Sequence, residues 1–130
     1  MTSAKKKILL VDDDKFLIDM YSLKFTQAEF EVVAALGGGD ALKKLHEGFV
    51  PDAMLLDVVM PEMSGLDLLR KMREEKLAPN ATVIILSNQG QSNDIEEAKK
   101  AGIDGYIVKA STIPSEVLEQ VTEIMGHKHA

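Results

Sequence analysis

Short apolar runs and longer amphipathic segments alternate along this chain. Five runs of mostly apolar residues are bounded by charged residues, glycine or proline, which is typical of buried strands. They cover residues 7–12, 30–34, 53–56, 82–86 and 105–108. After each run, apolar side chains recur at three- and four-residue steps, as the buried face of an amphipathic helix requires. The pattern therefore predicts five strands that alternate with five helices.

The expected helices have recognisable ends. Aspartate and asparagine cap a helix by accepting its first backbone N–H groups, and proline suits the first turn. The residues expected at the helix starts are Asp14, Asp40, Leu66, Asn93 and Pro114. A glycine break at 37–39 precedes the second helix, Gly102 ends the fourth, and 126–130 is expected to be a short tail. The predicted buried helix faces contain Leu17, Met20, Tyr21, Phe25, Ala28, Ala41, Leu42, Leu45, Leu68, Leu69, Met72, Val117, Leu118, Val121, Ile124 and Met125.

This alternation predicts an α/β fold. Strand, helix and strand joined by short connections form right-handed crossovers, which give a parallel sheet with helices on both faces. The first, third and fourth strands are almost wholly apolar, as central strands buried on both sides should be. The second contains Glu31, which suits an edge. We therefore predict a doubly wound, flavodoxin-like, five-stranded parallel sheet in the order 2-1-3-4-5, with five helices.

Length and composition favour one soluble domain. The chain has 130 residues, enough for a single sizeable core. We expect the domain to cover residues 5–126, between short tails at 1–4 and 127–130. Hydrophobic residues make up 45% and charged residues 28% of the chain, which is ordinary for a globular protein.

Charge and cysteine content exclude several classes of function. A net charge of −6 argues against nucleic acid as a direct partner. The chain has no cysteine, which excludes disulfides and cysteine-based metal sites. The first apolar run is too short for a signal peptide, and no segment is long enough to cross a membrane. We therefore expect a cytoplasmic protein with no membrane partner.

Polar groups follow the ends of four predicted strands. Asp12 and Asp13 close the first strand, and Asp57 closes the third. Ser87 follows the fourth strand and Lys109 the fifth. In an open parallel sheet, the carboxyl ends of the strands meet at the edge where ligands bind. Since the first and third strands are expected to be neighbours, their three carboxylates should converge.

Such a carboxylate cluster has a limited set of uses. At ~4 Å, two like charges repel by about 4 kcal/mol at an effective dielectric constant of 20. The cluster must therefore take up protons, pair with cations or bind a metal. Mg²⁺ prefers oxygen ligands and often shares its shell with phosphate. A nucleophilic carboxylate, a metal, a lysine and a hydroxyl are together the groups that phosphoryl transfer needs.

The pattern resembles the receiver domain of two-component response regulators, of the single-domain, chemotaxis-regulator-like type. The residues that carry the resemblance are Asp12, Asp13, the run Asp-Val-Val-Met-Pro-Glu-Met-Ser-Gly at 57–65, Ser87, Tyr106 and Lys109. The resemblance implies that Asp57 accepts a phosphoryl group from a histidine kinase or phosphotransfer protein. It further implies a signalling switch, rather than an enzyme, that acts as a monomer or weak dimer on a downstream effector protein.

The resemblance also implies a role for each site residue. Asp13, Asp57 and the Val59 carbonyl would bind Mg²⁺ or Mn²⁺ directly, and Asp12 would bind it through water. The phosphate would be held by Ser87, the Asn88 backbone N–H and Lys109, while Tyr106 would swing inward behind Ser87.

Three positions depart from the family pattern. Ala110 replaces the usual cis proline, and because a non-proline cis bond costs about 3 kcal/mol, we expect a trans peptide there. Asn88 is larger than the usual small residue. The Val59 side chain has no polar atom to position an attacking water, so we expect slow loss of phosphate.

Two other functions remain open from the sequence. Ala110 and Asn88 leave room for a protein-interaction module on the same fold that works without phosphorylation. A flavin carrier or an aspartate phosphatase is disfavoured, because the chain has two tyrosines, four phenylalanines and no tryptophan, and because Val59 stands where a phosphatase has its second carboxylate.

Overall fold

Five strands and five helices alternate along the chain, as the hydrophobic pattern predicts. This computed structural model describes residues 5–87, 92–109 and 113–128. The strands are β1 (Lys7–Val11), β2 (Glu31–Ala35), β3 (Ala53–Asp57), β4 (Thr82–Ser87) and β5 (Gly105–Val108). The helices are α1 (Lys15–Gln27), α2 (Gly38–His46), α3 (Gly65–Glu75), α4 (Ser92–Ala101) and α5 (Pro114–Lys128).

The strands form one parallel sheet in the order β2-β1-β3-β4-β5, which confirms the predicted topology. The central strands stay in register to their carboxyl ends, where Val11 pairs with Leu56 and Asp57 pairs with Leu86. Because β1 and β3 are neighbours that end together, the residues following Val11 lie beside Asp57.

Helices cover both faces of the sheet and divide the core in two. Alternate strand residues point to opposite faces. Leu9 and Met54 pack with α2, α3 and α4, whereas Ile8 and Leu55 pack with α1 and α5. Burial on both faces explains why β1, β3 and β4 are continuous apolar runs. This double core fixes the strand ends that carry the candidate site.

The connection from α1 to β2 differs from the prediction. Phe30 precedes β2 instead of beginning it, and its ring packs edge-on against Phe25 with centroids 5.1 Å apart. Ala28 is an exposed C-cap and not a core residue, while Ile18 belongs to the buried face of α1. The aromatic pair closes the turn, and the strand starts one residue later.

Helix ends also differ from the prediction, most clearly in α2 and α5, while α3 (Gly65–Glu75) begins one residue before the expected Leu66. α2 begins at Gly38, within the expected glycine break, and not at Asp40. Gly38 packs closely on Met63, because a Cβ there would lie 2.8 Å from the Met63 sulfur. α5 continues to Lys128, so the start of the expected tail at 126–130 is helical. The side chain of Asn93, the expected cap of α4, lies outside the described part of the chain.

Candidate functional site

Three carboxylates from two neighbouring strands meet at the carboxyl edge of the sheet. Asp12 and Asp13 follow β1, and Asp57 is the last residue of β3. One carboxylate oxygen of each lies within 4.8 Å of the others. Asp12 is 2% and Asp57 4% exposed, whereas Asp13 is at the surface. These three residues form an acidic cup that opens to solvent at Asp13.

The turn from β1 to α1 orients the first of these carboxylates. The Asp14 N–H donates to Asp12 Oδ1 at 2.9 Å, and the Asp12 N–H donates to the Ala35 carbonyl at 3.2 Å. The Asp14 carboxylate accepts from the N–H groups of Phe16 and Leu17, at 3.0 and 3.3 Å, which confirms it as the cap of α1. Asp14 therefore caps α1, whereas the carboxylate of Asp12 is oriented as part of the acidic cup.

The loop from β3 to α3 closes against Asp57. The Gly65 N–H donates to the Val58 carbonyl at 2.9 Å, and the Ser64 hydroxyl caps α3 by accepting from the Asp67 N–H at 3.1 Å. A Cβ at Gly65 would collide with the Asp57 carbonyl oxygen. Glycine is therefore required where the loop approaches the site. The sequence identifies Gly65 only as a motif and loop residue, because this close approach depends on tertiary structure.

Lys109 is the cation of the acidic cup. Its ammonium lies 3.0 Å from Asp12 Oδ2 and 3.3 Å from Asp57 Oδ2, and its side chain is 15% exposed. It directly follows β5, so its long side chain reaches across the end of β4. Among the described residues, three carboxylates face one ammonium, which leaves an excess of two negative charges when all are ionised. This oxygen-rich, charge-unbalanced group could hold a metal ion.

Ionisation in the acidic cup reflects this excess of charge. Burial, and then the charge of Asp12, raises the pKa of Asp57 from 3.8 to about 6. Lys109 and a hydrogen bond from the Val59 N–H act in the opposite direction. Burial alone would lower the pKa of Lys109, but its contact with Asp12 and the charges of both buried carboxylates raise it. Lys109 therefore stays protonated beside a carboxylate whose charge is only partly compensated.

Ser87 ends β4 next to these groups. It is fully buried at 0% exposure, and its hydroxyl has no hydrogen-bond partner within the described residues. Its register partner is Val108, the residue before Lys109. A buried hydroxyl without a partner is unfavourable by about 1–3 kcal/mol, so this position suits an incoming acceptor. Asn88 and Ala110, and therefore the expected trans peptide, lie outside the described residues.

Tyr106 occupies an outward position on β5. Its side chain is 42% exposed, and Lys99 Nζ lies 5.9 Å from the ring centroid. Tyr106 pairs in register with Ile85, which is two residues before Ser87 on β4. Because side chains two residues apart share a sheet face, Tyr106 and Ser87 project from the same face.

Tyr21 is a neighbour of the site that the sequence assigns only to the core. It is 3% exposed on α1, and burial raises its pKa. The charges of Lys109, Asp12 and Asp57 also act on its hydroxyl, so it lies near the acidic cup. A tyrosine at helical core spacing gives no sign of this, since only the fold brings α1 against the strand ends.

Comparison with known proteins identifies the family of this chain. A family model for the response regulator receiver domain matches residues 8–122. The chain belongs to this family. It is 38% identical over 120 residues to the chemotaxis protein CheY of Thermotoga maritima, covering 92% of this chain and 97% of that protein. It is also 40% identical over 104 residues to CheY of Listeria monocytogenes, covering 79% of this chain and 85% of that protein.

Comparison with solved structures shows the same fold. A CheY-like receiver domain protein from Methanospirillum hungatei superposes with a TM-score of 0.86 at 28% identity, covering 96% of this chain and 97% of that one. The fold of this receiver domain is thus the flavodoxin-like fold that the sequence predicts. Among the described helices, none combines the length and apolar character needed to cross a membrane.

The receiver domain is a signalling module, and its predicted site residues fall into two groups. Asp12, Asp13, Asp57 and Lys109 are brought together at one strand edge. Ser87 borders them, Val59 is 54% exposed beside Asp57, and Tyr106 remains outward. No contact among the described residues favours the phosphorylation-independent module over a phosphorylated switch.

Proposed function

We propose that Asp57 of this receiver domain accepts a phosphoryl group from the phosphohistidine of a histidine kinase or phosphotransfer protein. Phosphorylation then changes the affinity of the domain, residues 5–126, for a downstream protein. The observation that carries the proposal is the placement of Asp57, which is buried at a strand end with an ammonium 3.3 Å away and two carboxylates beside it. Response regulators as a family act with histidine kinases and downstream effectors.

The residues of the acidic cup fit Mg²⁺, with Mn²⁺ as an alternative. They supply buried carboxylate oxygens and an excess of negative charge, which suit a hard divalent cation. We assign Asp13 and Asp57 as direct ligands, the Val59 carbonyl as a third, and Asp12 as a ligand through water. When bound, the cation supplies charge neutralisation for the phosphoryl oxygens.

Asp57 is the nucleophile of the transfer. One of its carboxylate oxygens attacks phosphorus while the phosphorus–nitrogen bond of the donor breaks. The electron pair of that bond returns to the imidazole nitrogen, and an acyl phosphate forms on Asp57. With a pKa of about 6, Asp57 is mostly ionised at neutral pH and needs no general base.

Groups around Asp57 hold the transferred phosphate. Lys109 already lies 3.3 Å from Asp57 Oδ2, so its ammonium is placed to pair with the new negative charge. The unpartnered Ser87 hydroxyl donates a hydrogen bond to a phosphate oxygen, and the Asn88 N–H donates a second.

Ser87 and Tyr106 transmit the modification to the surface. They project from the same face of neighbouring strands. When the Ser87 hydroxyl turns toward phosphate, the Tyr106 ring moves inward behind it. The surface formed by α4, β5 and α5 changes as the ring leaves solvent. The downstream protein binds this surface.

Labelling with a small phosphodonor tests the proposal. With acetyl phosphate and Mg²⁺, intact-mass spectrometry should show one added phosphoryl group, and Asp57→Asn should abolish it. Asp14→Asn is the matched control, because asparagine retains the helix cap at an aspartate outside the acidic cup. Equal labelling of wild type and Asp57→Asn, or no labelling with several donors, would contradict the proposal.

A further inference from the structure

A cation lies against the ring of Tyr106 in its outward position. Lys99 Nζ is 5.9 Å from the ring centroid, within the range of cation–π attraction. Lys99 belongs to the last turn of α4, and Tyr106 to the neighbouring strand β5. Tyr106 is 42% exposed, so its ring is open to solvent and also has the ammonium within cation–π range.

We propose that Lys99 holds Tyr106 outward and thereby sets the resting balance of the switch. This inference rests on the proposed function, in which the Tyr106 ring moves inward after phosphorylation. The contact exists only while the ring is outward. An interaction made in one of two states shifts the equilibrium toward that state by the strength of the interaction.

A second partner of Lys99 is present in both states. Lys99 Nζ lies 3.7 Å from Glu96 Oε1 within α4, and both side chains are more than half exposed, at 55% and 68%. This pair lies within one helix and does not need Tyr106. The ring contact is therefore the part of the Lys99 environment that differs between the states. For an exposed cation–π pair, the expected effect on the equilibrium constant is about two- to fivefold.

The neighbouring lysine provides a matched control. Lys100 Nζ lies 3.5 Å from Glu97 Oε1, and its side chain is 74% exposed. Lys99→Met and Lys100→Met remove the same charge from adjacent positions of α4 and keep a good helix former. Lys99→Arg retains a cation that can stack on the ring.

The experiment measures the affinity for beryllofluoride, a phosphate mimic, in the presence of Mg²⁺. The chain has two tyrosines and no tryptophan, so Tyr21→Phe leaves Tyr106 as the fluorescent side chain. Acrylamide quenching of Tyr106 should fall as beryllofluoride binds and the ring moves inward. The beryllofluoride concentration at the midpoint of this change should be about two- to fivefold lower in Lys99→Met. The reason is that the inward state, which binds beryllofluoride, is more populated in this variant. Lys100→Met and Lys99→Arg should match the Tyr21→Phe parent.

Removing the positive charge of Lys99 would by itself weaken the binding of the beryllofluoride anion. The proposal predicts the opposite, tighter binding in Lys99→Met. Equal midpoints for Lys99→Met and Lys100→Met would overturn the role of Lys99 and leave the proposed function intact. Constant Tyr106 quenching in a parent that binds beryllofluoride would also overturn it, because the ring would not move. Failure of the wild-type protein to bind beryllofluoride at all would instead contradict the proposed function itself.

Discussion

Asp57, the proposed phosphorylation site, is buried although burial disfavours its ionised form. Burial and the charge of Asp12 raise its pKa from 3.8 to about 6. Folding therefore disfavours the ionised form relative to the unfolded chain. Because the pKa is raised on folding, the destabilisation is fully present above about pH 6 and is lost as the pH falls toward 3.8.

Neutralising this carboxylate should stabilise the metal-free protein. We expect Asp57→Asn to raise the free energy of unfolding at pH 7 by about 1–3 kcal/mol. The difference in the free energy of unfolding between Asp57→Asn and wild type should be smaller at pH 5, where wild-type Asp57 takes up a proton. Urea unfolding with a chelator at both pH values measures this, with Asp14→Asn as the control. A less stable Asp57→Asn at pH 7, or a larger difference at pH 5, would contradict the electrostatic account.

We expect Val59 to limit how fast water removes the phosphoryl group from phosphorylated Asp57. It follows Asp57 by two positions, is 54% exposed, and has no polar side-chain atom. Val59→Asn should accelerate loss of phosphate several-fold, because an amide can orient the attacking water. A time course of the phosphorylated protein measures the rate. Val50→Asn, at a valine that is 65% exposed, controls for the substitution itself. An unchanged rate in Val59→Asn would show that slow loss has another cause.

At the scale of elements, contacts at helix ends position the helices around the site. The Asp14 cap fixes the start of α1, and Gly65 allows α3 to begin against Asp57. At the opposite end of the sheet, Arg73 of α3 donates to the carbonyls of Ala101 and Gly102, at 3.3 and 2.8 Å. This contact anchors the C-terminus of α4 to α3.

Gly65 offers a direct test of helix placement. Gly65→Ala should destabilise the domain by about 1–3 kcal/mol and slow phosphorylation, because the new Cβ displaces α3 or the Asp57 backbone. Gly39→Ala is the matched control, since that position in α2 has open space around it and alanine favours a helix. Denaturant unfolding and phosphodonor labelling measure both effects. Equal behaviour of the two variants would mean that the close approach at Gly65 is unimportant.

The sequence predicts elements better than it predicts their ends. Apolar periodicity located all ten elements, because each must bury a face. Gly38, the first residue of α2, lies against Met63, and Phe30, just before β2, packs against Phe25. The contact of Gly38 with Met63 joins residues far apart in the sequence, so a local pattern does not reveal it.

At the scale of the whole molecule, strand order assembles the site. The apolar β1, β3 and β4 and the polar edge residue Glu31 were sufficient to predict the order, and the order implies that Asp12, Asp13 and Asp57 converge. The proximity of Tyr21 and the outward position of Tyr106 could not be predicted, because neither follows from strand order.

Mg²⁺ bound at the acidic cup should stabilise the whole domain, because the charge of the cation offsets the excess negative charge of the carboxylates. At a concentration ten times the Kd, binding to the native state alone raises the free energy of unfolding by about 1.4 kcal/mol. Thermal or urea unfolding with and without Mg²⁺ should show this gain in wild type and Asp14→Asn. It should be lost in Asp13→Asn and Asp57→Asn. A gain that persists in both of these variants would place the cation elsewhere.

The most direct test of the central claim is to locate the phosphoryl group chemically. An acyl phosphate is reduced by borohydride to an alcohol, so a phosphorylated aspartate is converted to homoserine. After incubation with acetyl phosphate and Mg²⁺, peptide mass spectrometry should find this conversion at Asp57 alone, and a chelator should prevent it. Conversion at Asp12 or Asp13, or at Asp57 with the same yield in the presence of the chelator, would contradict the account.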